Sequence, residues 1–256
     1  HKKRSKKYEM NICNTILSKT IWFEERKKFE IDFFDMLQPQ RNVHEHSRYK
    51  SGVFFSKKCN RPVQYESGLE LNFIEHLEQS KKVRFYWEQP CRIPYKRGKI
   101  VDKYTPDFGV YLATKEIILI EIKDLPGMVD HRVQTKIEGL IKFCARKGFG
   151  LLLTDGKHTI DKIKKADDHK ELEKYILNVL DEGRTIRKRE CRSILKQHRA
   201  TQNELLKVIR KNDLRYRTFT SEIRKVNHNR VFRHLFIEKR SYAELLNDMY
   251  PMLLKS

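Results

Sequence analysis

The sequence predicts an α/β fold in which a mixed sheet carries helices on its faces and a basic helical region follows. Two observations predict the sheet: residues 115–123, KEIILIEIK, alternate like a strand, and helical patterns lie before and after a group of short strands. A third observation is the charge, since 55 Lys and Arg against 34 Asp and Glu give a formal net charge of +21. Such an excess of positive charge indicates a polyanionic partner.

The N-terminal part contains a predicted helix and a predicted loop. Residues 22–38, WFEERKKFEIDFFDMLQ, have the spacing of an amphipathic helix, and residues 39–60 are rich in polar and turn residues, which favours a loop. Ser67 with Glu70 three residues later is a capping-box spacing, so a helix is predicted over 67–79.

The strands of the predicted sheet follow that helix. Short strands are predicted over 83–90, 92–96, 99–113 and 115–123, and the third of them is interrupted at Thr105-Pro106. A helix over 132–148 that ends at Gly148 and a buried strand over 149–155 come next. This order of helix, strands, helix and strand is what predicts the mixed sheet.

The region after residue 156 is predicted to be helical and basic. Helices are predicted over 171–183, 201–212, 221–232 and 241–249, and residues 184–256 hold 19 Lys and Arg against 7 Asp and Glu. Basic helices fit a helix-turn-helix or winged-helix module, and they fit a helical protein-docking domain equally well. We therefore predict three domains, over residues 1–60, 61–156 and 157–256.

The cysteines and the hydropathy indicate a cytoplasmic protein. The five cysteines are odd in number and form no CxxC pair, which argues against a disulfide framework and against a thiolate zinc site. No run of about 18 apolar residues occurs, so no membrane partner is expected. The basic start, HKKRSKK, lacks the apolar stretch of a signal peptide.

Candidate catalytic groups lie on the strand at 115–123 and just before its predicted hairpin partner. Glu121 and Lys123 share one face of the strand, roughly 7 Å apart. Asp107 precedes the segment GVYLA, and a hairpin between that segment and the strand would bring Asp107 beside Glu121. Two carboxylates and a carbonyl suit Mg²⁺, and Lys123 would position or deprotonate the nucleophile or neutralise charge on a phosphate. The alternative is a surface hairpin with an incidental Glu-Lys pair.

Pro106-Asp107 followed by Glu121-Ile122-Lys123 is the signature of the PD-(D/E)xK nuclease superfamily, which the chain therefore resembles. Further motifs resemble the TnsA-type endonuclease subunit of heteromeric bacterial transposases over residues 44–156. They are Ser67-Gly68-Leu69-Glu70, Glu88-Gln89-Pro90, Pro106-Asp107-Phe108, Lys136 and Thr154-Asp155. The resemblance implies a restriction-endonuclease-like mixed sheet core flanked by helices, with a basic C-terminal helical domain.

The resemblance also implies roles for matching residues. Glu70, Asp107 and Glu121 would hold Mg²⁺, for which Mn²⁺ could substitute, with the carbonyl of Ile122 as a further ligand and Lys123 as the catalytic lysine. Family members also occur with Gln at the position of Glu121. Phosphate or DNA contacts are further expected from residues on the 132–148 helix and in the 39–60 loop, namely Gln134, Lys136, His46, Arg48 and Lys50.

The function that these residues predict is Mg²⁺-dependent hydrolysis of DNA. By resemblance, the protein would cut the 5′ ends of a transposon in the bacterial cytoplasm, with a TnsB-like transposase and a TnsC-like AAA+ regulator as partners. Two alternatives remain: a standalone restriction or repair nuclease of the same superfamily, and a non-catalytic DNA-binding scaffold.

Overall fold

The computed structural model describes residues 12–23, 25–30, 51–97, 99–218 and 222–224. Within these ranges the fold is α/β, with a mixed sheet of several strands flanked by helices, which confirms the predicted class. Among the described residues, no helix is long and apolar enough to cross a membrane.

Eleven strands occur in the described part of the chain. They are β1 (Gly52–Ser56), β2 (Arg61–Tyr65), β3 (Val83–Glu88), β4 (Ile93–Arg97), β5 (Ile100–Tyr104), β6 (Phe108–Leu112), β7 (Ile117–Ile122), β8 (Gly150–Thr154), β9 (Ile186–Arg187), β10 (Arg215–Arg217) and β11 (Glu222–Arg224).

Helices separate these strands along the chain. A short helix at residues 12–17 is α1, and the others are α2 (Gly68–Gln79), α3 (Leu125–Met128), α4 (His131–Lys147), α5 (Asp161–Lys164), α6 (Lys170–Asp181), α7 (Lys188–Gln197) and α8 (Gln202–Lys211).

The central sheet has four strands in the order β3-β6-β7-β8. The first three pair antiparallel, and β7 pairs parallel with β8, because α4 carries the chain back to the starting edge. A separate two-stranded hairpin, β4-β5, is inserted between β3 and β6. The predicted hairpin of GVYLA with EIILIEIK therefore exists as β6-β7.

The alternation along β7 places its side chains in two different cores. Ile118, Ile120 and Ile122 pack with residues of α2, while Ile117 and Leu119 pack with residues of α4. The two helices thus cover opposite faces of the sheet, as a strand with a period of two requires. Every residue of β7 is buried, so this strand is the centre of the fold.

The predicted helix ends are present. The Ser67 hydroxyl accepts a hydrogen bond from the Glu70 N–H, and Thr201 forms a capping box with Glu204 at the start of α8. Gly148 ends α4 in the left-handed conformation, with φ of 74°.

The C-terminal region packs onto the α4 side of the sheet instead of standing apart. Buried residues of α6 and α8, such as Leu172 and Ile209, belong to the same apolar cluster as those of α4. The carboxylate of Asp130, which caps α4, accepts hydrogen bonds from the Thr218 backbone N–H at 2.7 Å and the Thr218 hydroxyl at 2.8 Å. Three short strands, in the order β10-β11-β9, complete this region.

Three local predictions were wrong. Residues 25–30 form no helix, because their backbone instead bonds to the core: the Phe29 N–H donates to the Lys115 carbonyl at 2.9 Å. Residues 52–56 form β1 instead of a loop, since they pair with β2. Residues 222–224 form a strand instead of a helix because β9 and β10 flank them.

Two other predictions concern positions without a structural description, and four helices of the described part, α1, α3, α5 and α7, were not predicted. Residues 31–50 and the predicted helix over 241–249 lie outside the described residues. Helix α7 escaped prediction because its ten residues, KRECRSILKQ, include few apolar positions.

Gly139 of α4 tests how closely the helix approaches β4. A Cβ at this position would lie 2.7 Å from the Tyr95 Cβ and 3.3 Å from the Pro94 carbonyl oxygen. We expect Gly139→Ala to lower the free energy of unfolding by about 1–3 kcal/mol, because overpacking outweighs the gain in helix propensity. Urea denaturation measures the change.

Gly68→Ala is the matched control, since a Cβ at this first residue of α2 meets no atom within 4 Å. We expect it to leave the stability unchanged or raise it by up to about 1 kcal/mol. If Gly139→Ala unfolds at the same urea concentration as the wild type, the close packing of α4 on β4 is refuted.

Candidate active site

The β6-β7 hairpin brings Asp107 to the end of β7. Phe108 pairs with Ile120 in the antiparallel register, so Asp107, one residue before β6, faces the last residues of β7. Its Oδ2 atom accepts a hydrogen bond of 2.7 Å from the Ile122 N–H. The Asp107 carbonyl accepts a second bond, of 2.9 Å, from the Gln89 N–H. The position of this carboxylate is therefore fixed by the backbone of two neighbouring strands.

Lys123 contacts both carboxylates that the β6-β7 hairpin brings together, those of Asp107 and Glu121. Its Nζ lies 2.8 Å from Glu121 Oε1 and 3.4 Å from Asp107 Oδ2. The same ammonium donates to the Ile122 carbonyl at 2.9 Å. Both carboxylates that the sequence singled out thus contact one cation, and the predicted meeting of Asp107 with Glu121 and Lys123 is present in the structure.

Glu121 is the most deeply buried charged group of this cluster. Its side chain is 1% exposed, whereas that of Asp107 is 20% exposed. Its second oxygen, Oε2, accepts a hydrogen bond from the Tyr104 hydroxyl. A buried carboxylate is costly unless it is paired and hydrogen-bonded, and here one oxygen has the ammonium and the other has the phenol.

Tyr104 was missed by the sequence analysis although it lies three residues before Asp107. Its ring is buried, and Lys136 Nζ lies 4.7 Å from the ring centroid, in cation–π geometry. A tyrosine at the end of a short strand carries no motif, so only the folded position of β5 against β7 identifies it. Lys136, predicted as a phosphate contact, is thereby placed beside the carboxylate cluster.

The electrostatics keep Lys123 protonated. Burial alone would lower the pKa of its ammonium, but the charges of Glu121, Asp107 and Glu70 outweigh it and raise the pKa above the ordinary value. A proton held this firmly does not leave at neutral pH. A protonated Lys123 suits charge neutralisation, and the roles of this residue at a metal site stay predictions.

Glu70 lies at the edge of the cluster, and its carboxylate accepts hydrogen bonds from the residues that precede α2. Its Oε1 accepts a bond of 2.9 Å from the Ser67 hydroxyl, and its Oε2 accepts one of 2.8 Å from the Glu66 N–H. Burial, and then the charge of Asp107, raise the pKa of Glu70 to about 7. The effect of Asp107 on this pKa is repulsion between the two negative charges.

The oxygen atoms around Lys123 Nζ are the donors that a hard divalent cation prefers. Asp107 Oδ2, Glu121 Oε1 and the Ile122 carbonyl surround one positively charged point, and Mg²⁺ binds such oxygen ligands. The donor chemistry therefore fits the predicted ion.

The side chains of the three carboxylates, in contrast, do not converge on one point. Among the described residues, no three His, Cys, Asp or Glu side chains are grouped so that they could hold a metal ion. Two carboxylates bind the ammonium of Lys123, and the third, that of Glu70, is turned to its helix cap. An ion at the point that Lys123 Nζ occupies would have to replace that ammonium.

The remaining predicted contacts divide into two groups. Gln134 and Lys136 both lie on α4 and are partly exposed, but only Lys136 reaches the cluster through Tyr104. His46, Arg48 and Lys50 lie outside the described residues, so their role as DNA contacts stays a prediction.

No protein-family model matches the chain, and no curated protein matches it.

The buried ion pair should contribute measurably to stability. Lys123→Met leaves the carboxylate of Glu121 buried with only the Tyr104 hydroxyl as a partner. We expect the free energy of unfolding at pH 7 to fall by about 3 kcal/mol. The double variant Glu121→Gln/Lys123→Met removes the unpaired charge and should lose less than Lys123→Met alone, as measured by urea denaturation.

Lys115→Met is the matched control, because Lys115 also forms an ion pair with a glutamate at 2.8 Å, but at the exposed surface with Glu30. We expect its unfolding midpoint to equal that of the wild type. Equal effects of Lys115→Met and Lys123→Met would contradict the burial argument.

The pKa of Glu70 predicts a pH dependence of stability. A folded-state pKa of about 7 lies above the ordinary value for glutamate, so the folded protein holds a proton that the unfolded chain has released. This contribution to stability is complete at low pH and is lost as the pH rises through 7. We expect Glu70→Gln to become progressively more stable than the wild type between pH 5 and pH 8. A stability difference that stays constant over this range would disprove the assignment.

Proposed function

We propose that this protein is a Mg²⁺-dependent DNA endonuclease of the PD-(D/E)xK type. The observation that carries the proposal is the convergence of Asp107, Glu121 and Lys123 at the end of β7, with the Ile122 carbonyl beside them. These four residues are the ones that the superfamily signature assigns to metal binding and catalysis. The restriction-endonuclease-like core is part of the proposal, and it is supported by the element order α2, β3, β6, β7, α4, β8.

Each residue has a role in phosphodiester hydrolysis. Asp107 and Glu121 would hold the ion, together with the Ile122 carbonyl and Glu70. When bound, Mg²⁺ supplies activation of a water molecule and neutralises charge on the phosphate. Lys123, once it is displaced from between the carboxylates, presents its protonated Nζ to the charge that develops on the phosphate. The cut leaves a 5′-phosphate and a 3′-hydroxyl.

Tyr104 acts through Glu121. Its hydroxyl occupies one carboxylate oxygen and leaves the other for a cation, so it orients the ligand. Lys136 packs over the Tyr104 ring and so adds a positive charge beside the carboxylate cluster.

The C-terminal region is proposed to be a winged-helix unit that binds DNA or a partner protein. Its elements run α6, β9, α7, α8, β10 and β11, and β11 lies between β9 and β10. This alternation of three helices with a small antiparallel sheet is the winged-helix order. The exposed side of α7 carries Arg189, Arg192 and Lys196, spaced so that they share one face of the helix.

The biological reaction is proposed to be cleavage of the 5′ ends of a transposon in the bacterial cytoplasm. A TnsB-like transposase would cut and join the 3′ ends, and a TnsC-like AAA+ regulator would dock on the C-terminal region. This part of the proposal rests on the motif resemblance over residues 44–156, and the net charge of +21 agrees with a DNA substrate.

Strand cleavage by the reconstituted assembly tests the proposal. Transposon-end duplex, the TnsB-like and TnsC-like partners and Mg²⁺ are combined with the wild type or a variant, and nicks at the 5′ ends are counted. We expect Asp107→Ala and Lys123→Ala to cut about 10²–10⁴-fold more slowly, because each removes a group that acts on the reacting atoms. Lys115→Ala, an exposed lysine elsewhere on the protein, should cut normally.

A calorimetric titration separates metal binding from cleavage. Mn²⁺ added to the protein with non-cleavable duplex should release or absorb heat with the wild type and not with Asp107→Ala. Normal 5′ cleavage by both Asp107→Ala and Lys123→Ala would refute the nuclease assignment, and a wild type that binds no metal with DNA present would favour a DNA-binding scaffold.

A further inference from the structure

Four arginines meet where the C-terminal sheet adjoins α4. Arg215 and Arg217 are two residues apart on β10 and so share one face of that strand. Arg224 of β11 stands directly opposite Arg215 in the antiparallel register, and Arg132 lies at the start of α4, which contacts β10. We call this surface the arginine face; it consists of Arg132, Arg215, Arg217 and Arg224.

The other side of the same sheet is apolar. Ile186 and Ile223 are buried in the core, and Tyr216 packs against that core. Because side chains alternate along a strand, the residues on either side of Tyr216 must point away from the core. The arginine face is thus held rigidly by a packed sheet.

Two arginines of this face have an Nε atom without a hydrogen bond among the described residues. The Nε atoms of Arg215 and Arg217 are buried and make no hydrogen bond within the described part of the chain. Burial lowers the pKa of Arg215, and the neighbouring charges of Arg217, Arg224 and Arg132 lower it further. Like charges placed directly opposite each other destabilise a sheet. This arrangement is therefore unfavourable for the protein alone.

Glu222 of β11 stands opposite Arg217 in the antiparallel register, and two carboxylates near Tyr216 of β10 already serve other partners. Asp124 accepts from the Gly127 N–H at 2.9 Å, and Asp130 accepts from the Arg132 N–H at 2.8 Å and from Thr218. Both cap helices, so neither neutralises Arg215. Arg215 and Arg217 are partly exposed, so an external anion can reach their guanidinium groups, and guanidinium binds phosphate through two parallel hydrogen bonds.

We propose that the arginine face binds the phosphate backbone of duplex DNA beside the candidate active site. The location favours this partner, because Asp130 links α4 to the end of β10 and lies seven residues after Lys123. Repeated phosphates match a surface with several guanidinium groups, whereas one free phosphate would occupy only part of it. The choice of DNA as the polyanion rests on the proposed function; the binding surface itself does not.

The test is duplex binding by the full chain in EDTA, measured by fluorescence anisotropy across a range of salt concentrations. We expect Arg132→Gln/Arg215→Gln to bind about tenfold or more weakly at 0.15 M salt. The plot of log K against log salt should become less steep by about 2, because each phosphate that is no longer neutralised accounts for roughly 0.9 of the slope. The thermal unfolding midpoint should be equal to or above that of the wild type, because repulsion is relieved. Since no metal is present, failure of the nuclease assignment leaves this result unaffected.

Two variants serve as controls. Lys162→Gln/Lys174→Gln removes two exposed charges from α5 and α6 and should keep the wild-type salt slope. Arg132→Lys/Arg215→Lys keeps both charges and should also keep that slope. If either control loses as much of the slope as Arg132→Gln/Arg215→Gln, the effect is one of net charge or of folding, and the proposal is overturned.

Inorganic phosphate distinguishes a nucleic-acid surface from a small-anion site. Wild-type affinity and salt slope in Arg132→Gln/Arg215→Gln overturn the proposal. The same holds if phosphate raises the thermal midpoint of the wild type but not of the variant while duplex binding is equal in both.

Discussion

The buried carboxylate of Glu121 is the constraint on which the site depends. It lies at the end of a strand whose residues are all buried, where an unpaired charge would be very costly. Lys123 and Tyr104 each bind one of its oxygens. Asp107 also contacts the ammonium of Lys123. The same contacts therefore stabilise the fold, because the ammonium neutralises the carboxylates.

Basic side chains among the described residues lie on α4 and on the strand that contacts it, β10. Lys136 lies over Tyr104 on one side, and the arginine face adjoins the start of α4 on another. Asp130 ties these parts together, since one carboxylate both caps α4 and holds Thr218. A DNA backbone held by the surrounding cations would thus reach a group of carboxylates that would otherwise repel it.

Much of this could be predicted because it depends on local patterns. The alternation of KEIILIEIK predicts which residues of β7 face each core, and the break at Thr105-Pro106 predicts where β6 begins. Together they place Asp107 beside Glu121. The Ser67 cap of α2 is equally local, since the residues that form it are close in sequence. The prediction failed where a segment bonds to residues far away in the sequence. The apolar spacing of residues 25–30 is that of a helix, but their backbone bonds to Lys115 and Gly148.

The sequence by itself determined the strand that carries the site and the acidic and basic residues at its end, because period and spacing are properties of a short segment. Only the tertiary structure decided that Tyr104 holds Glu121, that Glu70 turns to its helix cap, and that Arg132 meets Arg215. These contacts join residues on different elements, and their existence depends on how those elements pack. Burial then gives them their strength, since a charge excluded from water must find its partner within the fold.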